Sequence, residues 1–283
     1  PWQIYQMTGD DSAIKQMWEN MKLYISYLDI VQDEGILYIG LPDWCAPENS
    51  ERCPNYVTST ADYSDLAKTM AKCAAIMGED PTPYTELSEK IRLAWRNKFL
   101  GDEALEKKQT CLACGIYFKM YEPDEIPLKA AKLAKLIEES GWHIDCGILG
   151  AKYIFSALDD NGYCDVLYKM ITEPTYPSYA YWINSGMTTL CEDWEMKNSL
   201  NHHMYSEVDH WFYRHIAGIK IDESGIVIEP NFLSVLDWAK ATHRDISVEW
   251  NKETLNVTVP KNATVIINGN SQQISAGTHT FRR

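Results

Sequence analysis

Apolar residues return at steps of three and four along the first part of the chain. Ile14, Met17, Trp18, Met21, Tyr24, Ile25 and Leu28 share one face of a helix over residues 11–31, with Gly35 beyond its end. Leu66, Met70, Ala74 and Met77 predict a second helix over 58–77, closed by Gly78. Thr82-Pro83 is an N-cap and first-turn pair, and Tyr84, Leu87, Ile91, Ala94, Trp95 and Phe99 follow with helical period up to Gly101. Helices over 109–121 and 127–139 make a further pair. Those over 147–158 and 163–171 make another, joined by Asp159-Asp160-Asn161-Gly162. Val208, Trp211, Phe212 and His215 predict one more over 203–217, with His210 and His215 as core or helix-end histidines.

Near Ile221 the period drops to two. Ile226-Val227-Ile228, Ile246-Ser247-Val248-Glu249-Trp250, Leu255 to Val259 and Thr264 to Ile267 alternate between turns rich in Asn, Gly and Pro. The expected fold is therefore mainly α, with helical hairpins over 1–220 followed by a small antiparallel β-sandwich over 221–283. No strand separates successive helices, so a parallel sheet is excluded there. Trp250 is the one aromatic expected to stand out on the sheet, which is read as packing against the helices rather than binding sugar.

Two stretches obey neither period. Leu41-Pro42-Asp43-Trp44 opens a loop of roughly fifteen residues that runs past Pro47 and Pro54, long enough to suggest a function. The other holds Tyr176-Pro177-Ser178-Tyr179, then Asn184 to Glu195, then Asn201-His202-His203; it gathers acids, Thr, aromatics and His with Pro and Gly at its bends, as a loop lining a polar site would. A carboxylate can activate water there, and Trp or Tyr rings can stack on a pyranose. Glu192 is the candidate base. Local chemistry leaves a second reading open, in which Glu192, Asp193 and Glu195 are solvated loop acids.

Composition narrows the partners. A net charge of -14 over 283 residues, with no basic patch, argues against nucleic acid or an anionic membrane surface and for a small or neutral substrate. Ten Trp and seventeen Tyr suit carbohydrate handling. No apolar run reaches the ~20 residues of a membrane span. The eight Cys are scattered mostly through predicted helices and read as reduced thiols of a cytoplasmic protein. Cys111-Leu112-Ala113-Cys114 has no second pair at zinc spacing, and no helix carries a paired ligand set, so no metal or cofactor is called for.

The order of these motifs resembles the inverting α-L-rhamnosidases of glycoside hydrolase family 78, almost from end to end. Pro1-Trp2 with Thr8-Gly9-Asp10 resembles the segment entering a barrel helix, and Asp43-Trp44 the family's Gly-Asp-Trp loop. Tyr176-Pro177-Ser178 and Gly186-Met187-Thr188-Thr189-Leu190-Cys191-Glu192-Asp193-Trp194 resemble its most specific signature. Asn201-His202, Trp211-Phe212-Tyr213 and Ala217-Gly218-Ile219 follow in the family's order. The resemblance implies the second half of an (α/α)6 toroid with its C-terminal β-sandwich, and a terminal L-rhamnose or rhamnosylated glycoside as substrate. It implies Glu192 as the general base, His202 as a sugar contact and Trp44 as an aromatic wall. Asp43, Thr188 and Thr189 would shape the pocket, and Tyr179 and Trp194 would line or support it.

Inversion needs a base and an acid on opposite faces of the sugar, ~6.5–9.5 Å apart, with water between. In the family the acid lies in a motif rich in Asp, Arg and Glu, upstream of the region matching Pro1, and these residues hold no such motif. About eight helices are predicted where a full toroid needs twelve. The expectation is a fragment, inactive alone, whose partner is the remainder of the barrel, unless Asp43 or Glu195 supplies an acid locally. Tyr179 and Cys191 stand where the family commonly has Trp, and Pro42 where it has Gly. Cys191 as a nucleophile is disfavoured, since no His is fixed beside it. Two other readings are a catalytically silent carbohydrate-binding protein and an exo-glycosidase of another toroid family.

Overall fold

The computed structural model describes residues 1–222 and 225–283. It divides into two compact units, one of Pro1–Tyr5 and Asp10–Tyr205, the other of Gln6–Gly9 and Ser206–Arg283.

After a short helix α1 (Trp2–Thr8), α2 (Ser12–Val31) buries Ile14, Trp18, Ile25 and Leu28 along the stripe its spacing predicts. Helix α3 (Asn55–Met77) begins three residues earlier than its apolar spacing suggests, directly after the extended Pro54. Gly78 stops it in the left-handed region, φ 74°, with its N–H turned back to Ala74 and Ala75. Helix α4 (Thr82–Phe99) returns along α3, and the buried Ser64 and Ser88 hydroxyls each donate to the other's carbonyl, at 3.1 and 2.9 Å.

Helix α5 (Gln109–Tyr117) is buried on every side from Gln109 to Ile116. Its Cys111, Ala113, Cys114 and Gly115 are small enough to let neighbouring helices close in. It lies between α3 and α7 (Ile148–Asp159), and α6 (Ile126–Glu139) covers it; α8 (Cys164–Thr172) packs behind α7. An inner row of α3, α5 and α7 thus carries α4, α6 and α8 as hairpin partners. Helix α5 ends before the predicted Tyr121 because Lys119 takes a positive φ of 57° and Met120 N–H folds back to Gly115 O at 2.8 Å. A short helix α9 (Tyr179–Asn184) interrupts the stretch read as loop, capped by Ser178 Oγ accepting from Tyr181 N at 3.0 Å.

The second unit corrects three expectations. Its helix is brief, α10 (Glu207–Trp211) running into a π turn at Phe212–Ile216, because the residues before it are held elsewhere: His202 N–H bonds Leu190 O at 2.8 Å. Eight strands follow among the described residues: β1 (Ile219–Asp222), β2 (Gly225–Ile228), β3 (Trp238–His243), β4 (Ile246–Asn251), β5 (Thr254–Val259), β6 (Ala263–Ile267), β7 (Asn270–Ile274) and β8 (Gly277–Arg282). The β region read from 221 onward crosses Glu223 and Ser224, which lie outside the described residues. One sheet runs β1-β2-β6-β7 and the other β3-β4-β5-β8. The sandwich is not wholly antiparallel, since β2 pairs β6 in parallel, Ile226 opposite Ala263. The chain leaves β2 for the other sheet and comes back as β6 in the same direction, which a direct hairpin could not do.

Trp250 is also not exposed. It is buried on the inward face of β4 with Ile246 and Val248, and its indole N–H donates to Ile216 O at 2.8 Å; the exposed tryptophan of the sheet is Trp238. Trp250→Phe leaves that buried carbonyl unpaired, and is expected to cost about 1–3 kcal/mol, read as a lower urea midpoint at unchanged slope.

Candidate active site

A helix start leaves its first amides without intrahelical partners. Helix α7 starts at Gly147, which has no side chain to cap it, and the cap comes from the loop before α3. Asp43 accepts Gly147 N–H at 2.8 Å on one oxygen, and Leu149 and Gly150 N–H at 3.0 Å on the other. Thr110 Oγ1 donates to it from α5 at 2.5 Å, and Trp44 O takes the remaining amide, Ile148 N–H, at 2.8 Å. The negative charge sits where the helix dipole favours it. Burial raises the Asp43 carboxyl above its ordinary value, while the Thr110 hydroxyl and the amides of Gly150, Gly147 and Leu149 pull it back.

Glycine permits this approach. A Cβ on Gly147 would stand 2.3 Å from Trp44 O, and one on Gly150 would stand 2.0 Å from Thr110 Oγ1. Asp43 is only 1 % exposed, with both oxygens occupied inside the protein, so it shapes the site through the loop it anchors. Trp44, next in the chain, is 47 % exposed and presents its ring outward.

The same helix start holds the acidic segment. Trp194, fully buried, donates its indole N–H to Cys146 O at 2.8 Å, immediately before Gly147. It stacks on Trp182 with ring centres 4.5 Å apart and planes 15° apart, meets Tyr205 at 4.5 Å, and takes the edge of Tyr179 at 5.3 Å. Trp182 Nε1 donates to Trp194 O, and Tyr179 Oη to Tyr205 O, at 3.2 and 3.1 Å. Tyr205 Oη reaches the Trp44 loop at Cys45 O, 2.6 Å away. Tyr179 and Trp194 are therefore a buried floor rather than an exposed lining.

Above that floor the chain doubles back. Glu192 N–H donates to Ser199 O at 2.8 Å, Ser199 N–H to Glu192 Oε2 at 3.1 Å, and His202 N–H to Leu190 O. Thr189 Oγ1 donates to Leu200 O across the same hairpin, and Thr188 lies exposed beside it. His202 Nδ1 accepts Met204 N–H at 3.2 Å, so the neutral ring carries its proton on Nε2. The turn is closed by Asp193, 5 % exposed, whose two oxygens accept Lys197 and Asn198 N–H at 2.9 Å each.

Cys45, whose carbonyl accepts the Tyr205 hydroxyl, ties the Trp44 loop to the floor. Burial, and then the charges of Glu192 and Asp193, push its thiol above its ordinary value, with Arg52 opposing and Glu195 adding. Cys191 is buried and likewise raised by burial first, so neither thiol is a ready nucleophile. All eight cysteines are free, with Cys111 and Cys114 in the core of α5. Glu195 is committed at one oxygen to the Tyr176 hydroxyl and to Glu48 N–H.

Glu192, His202, Thr188 and Thr189 thus share one hairpin, and Trp44 stands on the loop bound to its floor. Sequence reasoning named Asp193 and Tyr176 within the motifs but gave them no role of their own, and it missed Tyr205. Asp193 lay in plain view beside Glu192, whereas Tyr205 carries no local signal, because its partner is 160 residues away.

The family described as bacterial α-L-rhamnosidase six-hairpin glycosidase domain matches residues 1–216. An α-L-rhamnosidase of Streptomyces avermitilis is 31% identical over 290 residues, covering 93% of this chain and 28% of that protein. The crystal structure of a Streptomyces avermitilis α-L-rhamnosidase complexed with L-rhamnose superposes with a TM-score of 0.92 at 26% identity, over 100% of this chain and 32% of that one. The structure of an α-L-rhamnosidase from Dictyoglumus thermophilum gives 0.89 at 27% identity, over 99% and 38%. The chain spans about a third of these relatives.

Asp43→Asn replaces a charged acceptor by an amide whose NH2 must face at least one N–H donor. It is expected to cost about 3 kcal/mol and to loosen the Trp44 loop, measured as a lower urea midpoint with a weakened near-ultraviolet circular dichroism signal.

Proposed function

We infer, since this chain belongs to the bacterial α-L-rhamnosidase family with the six-hairpin glycosidase domain, that it supplies the base-bearing and aromatic part of a site that removes terminal L-rhamnose from glycosides. One observation carries the reading: Glu192 and Trp44 belong to segments fixed on the same helix start, through Trp194 and Asp43. Glu192 takes the proton of a water that attacks the anomeric carbon, and the configuration inverts. Trp44 covers the apolar face of the sugar, His202 contacts a hydroxyl, and Thr188 and Thr189 bound the pocket. Asp43, Tyr179 and Trp194 hold these groups in place from beneath.

The acid comes from outside these 283 residues, on the remainder of the barrel. Helix α2 supports this, because opposite its buried stripe Leu23, Tyr27 and Ile30 are exposed, Ile30 by 81%. A helix apolar on two faces is built to be covered on both. Among the described residues no helix is long and apolar enough to cross a membrane. The eight free cysteines support a reducing compartment such as the cytoplasm.

The test is release of p-nitrophenol from its α-L-rhamnoside by the full gene product. Glu192→Gln is expected to lower kcat about a thousand-fold while rhamnose binding persists. The 32.5 kDa chain alone is expected to release none. Unchanged turnover in Glu192→Gln would overturn the assignment of the base.

A further inference from the structure

The loop from Trp44 to Asn55 is anchored firmly at its start, by Asp43, and its far portion is held where Lys108 Nζ meets Glu51 at 2.7 Å. Its tip, at Glu48, is held differently. Glu48 N–H donates to Glu195 Oε1 at 2.8 Å and to Tyr176 Oη at 3.2 Å, and the Tyr176 hydroxyl itself donates to the same Glu195 oxygen. Burial, then the Glu195 hydrogen bond, push the Tyr176 phenol above its ordinary value, so it is a donor at any working pH. Lys197 Nζ also reaches Glu48 Oε1 at 2.9 Å, but that pair is exposed on both sides and contributes little.

Three segments therefore meet at one carboxylate oxygen. One bears Trp44, one begins the stretch leading to α9, and one is the hairpin of Glu192 itself. We propose that Glu195 is a positioning residue, a clamp on the rim of the sugar site that makes the Trp44 loop and the Glu192 hairpin move as one body. The proposal rests on the rhamnosidase reading for its effect on the sugar, but not for the clamp. A clamp of this kind sets how well the aromatic wall meets the sugar and leaves proton transfer to other groups. An acid at this position would instead need its proton, which an acceptor of two hydrogen bonds does not carry on that oxygen.

Glu195→Gln and Glu195→Ala separate these roles. A glutamine carbonyl accepts both donors, whereas alanine accepts neither. In the full gene product, amide hydrogen exchange of the peptide containing Glu48 is expected to speed up about ten-fold in Glu195→Ala and to stay near the parent rate in Glu195→Gln. KM for p-nitrophenyl α-L-rhamnoside should rise about ten-fold in Glu195→Ala with kcat within about three-fold, and glutamine should restore it. Unchanged Glu48 exchange in Glu195→Ala would overturn the clamp. Loss of kcat at unchanged KM in Glu195→Gln would show Glu195 to be a proton donor instead. If the parent protein hydrolyses no rhamnoside, the functional reading fails while the exchange experiment still decides the clamp.

Discussion

The four amides at the start of α7 must find acceptors, and the carboxylate of Asp43 with the carbonyl of Trp44 provides for all of them. Most features of the site follow from this cap. The loop preceding α3 is pinned at Asp43 and Trp44, because they cap the start of a helix that is itself buried in the inner row. The glycines at 147 and 150 are required by the same approach, since any side chain there would collide with the loop or with Thr110. A buried carboxylate with a full set of donors is stable as a structural group, and costly to disturb on either side.

From that point the acidic segment is built outward in layers. Trp194 reaches the residue just before the capped helix, and its stack with Trp182, Tyr179 and Tyr205 forms a rigid floor. Asp193 closes the turn above, and the turn returns Ser199 to Glu192. The candidate base therefore stands on an aromatic base plate rather than on a mobile loop, which is what precise placement of an attacking water demands. Tyr179 and Cys191 fit this arrangement as buried structural groups. The Tyr179 hydroxyl donates to Tyr205 O, and Cys191 is fully buried.

Much of this was legible in the chain. Helical spacing located the hairpins because most of their helices bury one face, and Gly78 marked a real end, whereas Thr82, expected as the N-cap, is the first residue of α4, with Pro81 before it and no side-chain cap. The helix expected over 203–217 failed at its start, where pairing of His202 with Leu190 outcompetes local propensity. Trp250 was readable after all, since alternation from Ile246 through Val248 puts it on the buried face. The parallel pairing of β2 with β6 depends on a route through the other sheet, which period alone does not encode. Within the site, Glu192 and Trp44 were visible as chemistry. The reasons they are fixed, Asp43 on α7 and Tyr205 on Cys45, join residues more than a hundred positions apart and leave no local mark.

In the proposed function Glu192 activates water and does not attack the sugar itself. Proton NMR of the first turnovers of p-nitrophenyl α-L-rhamnoside by the full gene product tests it most directly. The account predicts that β-L-rhamnose appears first and only later equilibrates with the α anomer. Initial formation of α-L-rhamnose would mean a covalent intermediate on a carboxylate, and would contradict the role assigned to Glu192.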